Sequence, residues 1–371
     1  MFRGFVWGGF EGASHLRHDG RRVDAVAASG HDRHAALDHA LLRALGLRTA
    51  REALRWHLVE QAEGRFDWSS ARAQVAAARA AGTEVIWDIC QWGVPDWLDV
   101  MSPCFAARLG RFAGAAARML RAEGARVGGW VPVNEIAFWA WAGGAMGGFA
   151  PFLRGEGGAL KAQLLRGHVA VVEALRAEGA HEPILLAEPL IRVVPRLDAL
   201  GVATPEAAAM AAAEMQGAFE AVDWLLGRDV RLVDVLGLNH YPPNQWDTEG
   251  VRLRPGDPRH RPLRALLAAV GARYRLPLVL TETGAEEPDG DAWLHGVAEE
   301  CAAALSAGVR LAGVCVYPVM DYAGWDNGRA CPCGPIGQRG GLRFVRPGQR
   351  AALARLSALG PIAAGARDNA A

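Results

Sequence analysis

Lysine is almost missing from this chain: Lys161 is the only one, and arginine supplies the remaining positive charge. With abundant alanine this is the mark of a genomic base bias, and it carries no functional signal. Net charge is missing too, with 40 basic residues set against 40 acidic ones. Neither electrostatic attraction nor counterion release therefore favours a nucleic acid or an anionic membrane as partner. No run reaches the ~20 uninterrupted apolar residues of a membrane span. Residues 1–10 lack a basic leader, apolar segment and small-residue cleavage site in succession, so no secretory signal is expected and a cytoplasmic protein is.

Cysteine is sparse, with six residues at 90, 104, 301, 315, 331 and 333. Cys90, Cys301 and Cys315 lie in apolar runs and read as small buried hydrophobes. Cys331-Pro332-Cys333 lacks the further cysteine or histidine ligands of a metal site and reads as a free thiol pair in a loop. His57, His240 and His295 show no metal-ligand spacing, and His168, on an expected helix, reads as structural. No Gly-x-Gly-x-x-Gly follows an early strand, which removes the dinucleotide fingerprint. Neither a metal nor a cofactor is expected.

What the chain does have is 371 residues, 51% of them hydrophobic, in a regular alternation. Apolar runs of strand character fall at 2–10, 47–51, 84–89, 129–134, 184–187, 233–239, 278–282 and 311–316. Helical stretches lie after them at 34–46, 69–82, 104–125, 158–178, 204–227, 260–274, 290–308 and 348–359. Alternation implies parallel pairing with right-handed crossovers, and eight repeats predict a single (β/α)8 barrel over residues 1–371. An open doubly wound sheet is the alternative. Proline- and glycine-rich stretches at 142–158, 241–262 and 321–348 each follow a strand, on the face where barrel active sites form.

Two of the strands end on glutamate: Val131-Pro132-Val133-Asn134-Glu135 and Leu278-Val279-Leu280-Thr281-Glu282. A strand buried on both faces shows a polar residue only where it leaves the core. Two carboxylates delivered there suit glycosidic bond cleavage, one moving a proton and the other attacking the anomeric carbon or activating water. Taken singly, each glutamate is better explained as a helix cap or an arginine partner.

Six segments, in order, resemble the family 1 glycoside hydrolases: Phe5-Val6-Trp7-Gly8, Arg51 through Trp56, Gln91-Trp92-Gly93-Val94-Pro95, Asn134-Glu135, Gly237-Leu238-Asn239-His240-Tyr241 and Thr281-Glu282-Thr283-Gly284. The resemblance implies a (β/α)8 retaining β-glycosidase acting on a small glycoside or oligosaccharide. It makes Glu135 the acid/base and Glu282 the nucleophile, with Arg51 and Tyr241 beside Glu282 and Asn134 on the sugar 2-hydroxyl. It also places Trp92, Trp325 and His15 in the sugar pocket, with Glu11 a competitor for the role of His15. Trp97, Trp139, Trp141 and Trp246 fall near strand ends as well, Trp139 and Trp141 either lining the mouth or packing the loop. Trp56 and Trp130 read as core.

The pattern departs from the family at the substrate wall. Gln91 replaces a histidine, Ile136 a proline, and Tyr317 through Trp325 replaces Trp-Ser-x-x-Asp-Asn-Phe-Glu-Trp, which leaves Gly324 at the family's glutamate; either Asp326 substitutes from two residues on or the pocket takes a sugar lacking those hydroxyls. The chain is also shorter than is usual for the family. Ordinary β-glucoside specificity is therefore not implied. A transglycosylase on the same scaffold and a non-catalytic carbohydrate-binding barrel are the competing expectations.

Overall fold

Alternation of period two decides which way each apolar residue points. In β3 (Glu84–Asp88), β5 (Leu185–Pro189), β7 (Leu278–Thr283) and β8 (Leu311–Val316), Ile86, Leu185, Ala187, Val279 and Cys315 join one buried cluster. Their chain neighbours Val85, Trp87, Leu186, Leu278, Leu280, Val314 and Val316 join another, larger one. Successive strand side chains face opposite ways, so the small cluster fills the inside of a barrel and the large one lies between strands and helices. In the computed structural model, which describes residues 2–360, the remaining strands are β1 (Val6–Gly9), β2 (Thr49–Ala53), β4 (Val127–Val131) and β6 (Val235–Asn239).

All eight pair in parallel, in the order 4-3-2-1-8-7-6-5. The ends of this sheet meet where Trp130 bridges to Ile184, and the Glu135 N–H donates to the Ala187 carbonyl at 2.9 Å. The barrel thus closes beside a residue expected to be catalytic.

The helices that cover it are α1 (His31–Ala44), α2 (Ser69–Ala81), α3 (Phe105–Ala122), α4 (Gly157–Ala177), α5 (Pro205–Arg228), α6 (Leu263–Tyr274), α7 (Gly290–Ser306) and α8 (Pro347–Ser357). Each corresponds to one expected stretch within three residues at either end. Short elements were not anticipated: a helix at Ile136–Trp139 running into a π-helix at Ala140–Ala145, and a hairpin of Ile336–Arg339 with Leu342–Val345. Both decorate the loops above the strand C-termini. Among the described residues no helix is long and apolar enough to cross a membrane.

Candidate active site

The polar side chains at the barrel mouth are organised around Arg51, which leaves β2 into a fully buried position. Its Nη1 donates to Glu282 Oε1 at 2.7 Å, its Nη2 to Asn134 Oδ1 at 2.7 Å, and its Nε to Asp88 Oδ1 at 3.0 Å. One guanidinium so ties together the ends of β2, β3, β4 and β7. Burial opposes its charge, but Asp88 and Glu282 hold it charged. Burial pushes Asp88 up to about 6, with Arg51 working against that rise.

Glu282 is held at both oxygens, since the Tyr241 hydroxyl donates to Oε2 at 2.8 Å. Burial and the Glu282 charge raise the Tyr241 phenol well above its ordinary range, so it stays a donor. Glu135 sits differently. Its Oε1 accepts from Asn239 Nδ2 at 2.8 Å, and Asn239 Oδ1 accepts in turn from Thr281 Oγ1 at 2.7 Å. Burial, then the charge of Glu282, lifts the Glu135 carboxyl well above the usual carboxylate range. A cation and a phenol clamp one carboxyl; the other has an amide and a neighbouring negative charge.

Backbone strain positions Glu135. Its φ of 47° lies in the left-handed region, as does that of Trp92 at 63°, a conformation that costs non-glycine residues of order 1 kcal/mol or more and concentrates at functional sites. The turn is stabilised from β5: Glu188 accepts the Ile136 and Ala137 N–H groups at 3.0 and 2.9 Å, capping the short helix that follows Glu135. Burial pushes Glu188 up to about 8.

Around the carboxyl pair stand several buried polar atoms without a partner among the described residues. They include His15 Nδ1, Gln91 Oε1, Asn134 Nδ2 and Trp325 Nε1, and all four residues were expected to touch sugar. Burial, with Arg22 and Arg17 nearby, holds His15 down at about 3 and so uncharged. Gln91 donates to the Tyr317 hydroxyl at 2.7 Å. Trp92 donates to the Asn134 carbonyl at 3.0 Å and meets Trp325 edge-on, with centroids 4.9 Å apart. Phe149 packs on His15 at 3.9 Å.

Asp326 is exposed, at the rim of a cavity of about 220 Å³ that His15, Arg17, His18, Phe149 and Phe152 also line. Glu135 and Glu282 do not line that cavity. A Cβ at Gly324 would meet Cys331 Sγ at 3.3 Å, so the chain there folds against its own loop.

Of the other tryptophans, Trp139 packs the loop, donating to the Ala150 carbonyl, while Trp141 is 58% exposed. Trp97 donates to the Glu60 carbonyl and Trp246 to Glu214, outside the Arg51 network. Trp56 and Trp130 are buried. Cys331 and Cys333 are free thiols, as expected, and both are buried. His168 donates to or accepts from the chain only at the Leu232 carbonyl, and is therefore its donor, in a buried structural role.

Asp88, Glu188, Asn239 and Tyr317 were not singled out from the sequence. A signal for two of them existed: Val85-Ile86-Trp87-Asp88 and Leu185-Leu186-Ala187-Glu188 are apolar runs ending on a carboxylate, the same form that identified Glu135 and Glu282.

Among the described residues, His31, His39 and Glu52 have a donor set suited to a cation. His39 Nε2 and Glu52 Oε1 bond directly at 2.7 Å, closer than two ligands of one ion sit. Burial opposes a charge on His31, yet the hydrogen bond it donates to Asp38 and the negative charge of Glu52 beside it raise it to about 9. An imidazolium already supplies the positive charge, and the trio is an internal ion pair.

No protein-family model and no curated protein matches the sequence. Solved structures do. A family 1 β-glucosidase from Thermotoga maritima superposes with a TM-score of 0.77 at 17% identity, covering 95% of this chain and 97% of that one. The T. maritima β-glucosidase in complex with glucoimidazole gives 0.79 at 17% identity, over 97% and 99%. The fold is that of the family 1 β-glucosidases. An enzyme from Alicyclobacillus herbarius, designated AHE, also shares it, with 0.77 at 18% identity over 97% and 100%.

Proposed function

We propose that this protein is a β-glycosidase that hydrolyses a small glycoside or oligosaccharide by double displacement with retention of configuration. The observation that carries the reading is the opposed treatment of two buried carboxyls at the same barrel mouth. Divergent environments are how a site separates acid from nucleophile.

In the first step Glu135, kept protonated, gives its proton to the glycosidic oxygen while a Glu282 oxygen attacks the anomeric carbon. The C–O bond to the leaving group breaks and a glycosyl ester forms on Glu282. In the second step Glu135, now a carboxylate, takes a proton from water, whose oxygen attacks the same carbon and releases Glu282. Arg51 and Tyr241 hold both Glu282 oxygens and aim them; Asn134, fixed by Arg51, turns its free Nδ2 toward the sugar. The retaining chemistry requires the two carboxyl groups about 5–5.5 Å apart. Likeness in fold to the β-glucosidases supports the substrate class, and the orphaned polar atoms support a polyhydroxylated ligand.

The test is a screen of aryl β-glycosides followed by Glu282→Gln, which should lose turnover with the fold intact. Proton NMR of the first-formed sugar should show the β anomer. Initial release of the α anomer overturns retention, and an active Glu282→Gln overturns the assignment of the nucleophile.

A further inference from the structure

Glu11 is a third carboxyl at the barrel mouth, 3% exposed, and the two-step reaction above gives it nothing to do. Its two oxygens are treated unequally. Oε1 accepts the Ala13 N–H at 3.0 Å, the Tyr317 hydroxyl at 3.3 Å and Gln91 Nε2 at 3.5 Å. Oε2 has no partner among the described residues and does not count among the fully enclosed orphan atoms.

The surroundings tie this group to the reaction centre. Tyr317, which bonds Oε1, lies under the Arg51 guanidinium at 5.4 Å from ring centroid to Cζ, and Arg51 clamps Glu282. Gln91, which bonds Tyr317 and approaches Oε1, leaves its own Oε1 unpaired. Gly12 makes the arrangement possible: a Cβ there would stand 2.3 Å from Gln91 Oε1 and 2.4 Å from Ala53 Cβ. Burial pushes the Glu11 carboxyl up to about 7, so it is partly ionised near neutrality.

A carboxyl that served only to anchor Tyr317 and the Ala13 turn would use one oxygen and be served as well by an amide. A free carboxylate oxygen in a desolvated site calls for a donor, and carboxylate–hydroxyl bonds are about twice as strong as neutral ones. We infer that Glu11 is a specificity-determining residue whose Oε2 accepts a hydrogen bond from one hydroxyl of the bound glycone. This rests on the glycosidase reading above. The role belongs to this wall of the pocket, where acceptors (Glu11 Oε2, Gln91 Oε1) stand ready for sugar O–H donors.

The experiment compares the best aryl β-glycoside of the screen with its monodeoxy analogues, on wild type, Glu11→Gln and Glu11→Asp. Glutamine keeps an acceptor toward Ala13 and Tyr317 and puts an NH2 at the Oε2 position; aspartate withdraws the carboxylate by one methylene. Both variants should lose roughly 10- to 100-fold in kcat/KM on the parent glycoside. On the one analogue lacking the hydroxyl that Glu11 reads, they should match wild type within about threefold. An equal loss across the parent and every analogue overturns the inference and returns Glu11 to a framework role. So does failure of both variants to fold, judged by thermal unfolding. A wild type without activity on any aryl β-glycoside instead overturns the glycosidase reading, so the two failures are distinguishable.

Discussion

Arg51 carries more of the site than any other side chain, because its one charge serves two carboxylates and an amide in a place that water does not reach. Removing one partner of a buried ion pair leaves the others uncompensated, at a cost of about 3–5 kcal/mol. Arg51→Met is therefore expected to lower stability on that scale and to lower kcat/KM at least as far as an Asn134→Ala variant measured beside it, since Asn134 and Glu282 both lose their anchor. Denaturant unfolding and initial rates on one aryl glycoside check both halves; an Arg51→Met protein as stable as wild type would contradict the hub. Asp326 stands at the other extreme. Exposed and at the rim, it can act only on whatever extends outward from the glycone, so Asp326→Ala should raise KM for longer glycosides by a few-fold and leave stability unchanged within about 0.5 kcal/mol. A changed preference among epimeric aryl glycosides would instead return Asp326 to the sugar wall expected of it from sequence.

The element that most directly positions Glu135, the proposed proton donor, is the turn from β4 into the 136–139 helix. Glu188, from the neighbouring strand β5, accepts two N–H groups of that helix, and its charge adds to the upward push on Glu135. Glu188→Ala should cost about 1–3 kcal/mol through two unsatisfied donors. It should also move the alkaline limb of the kcat/KM profile to lower pH, because one cause of the raised Glu135 pKa is gone. An unmoved limb would confine Glu188 to capping. This turn also shows where sequence reading stops. The strands and helices were legible because their apolar patterns repeat over many residues, and β8 was placed at its observed bounds, Leu311–Val316. The 136–139 helix and the π-helix beyond it were not, since four residues of helix carry no periodicity and their ends are satisfied by Glu188 from fifty residues away. The carboxyl pair was legible through motif order. Glu188 and Asp88, which end the same kind of apolar run, went unremarked because no family motif marks them. Asn239 stands inside the Gly237–Tyr241 motif, but only the fold reveals that its amide meets Glu135.

The molecule as a whole buries an unusual load of carboxyls at one end of its barrel, and that load ties its stability to pH. Glu11, Asp88 and Glu188 have folded pKa values pushed up to about 7, 6 and 8, all above those of an unfolded chain. Each binds more protons folded than unfolded, so its share of stability is full below the unfolded value and is lost as pH rises through the folded one. His31, raised to about 9, acts in the same direction at higher pH, its contribution draining away as pH passes from its unfolded value through 9. The buried neutral histidines act oppositely. His15, His168 and His240 are held down at about 3, 4 and 4, so they bind fewer protons folded than unfolded and cost stability as pH falls below the unfolded value of about 6.5. Asp24, brought down to about 2 by His57 and Arg55 against its burial, adds a further loss in acid. The two sets cross near pH 6, where the melting temperature should peak, declining steadily to pH 9 and more steeply below pH 4. Glu188→Gln removes one of the alkaline contributors while retaining a carbonyl acceptor for the Ile136 turn, and should flatten the slope between pH 6 and 8.5. Melting temperatures measured across pH 4–9 at constant ionic strength decide the matter: a profile that rises from pH 6 to 8.5, or a Glu188→Gln profile parallel to wild type, would show that the fold does not raise these carboxyls, and with them would go the physical basis for Glu135 as a neutral acid.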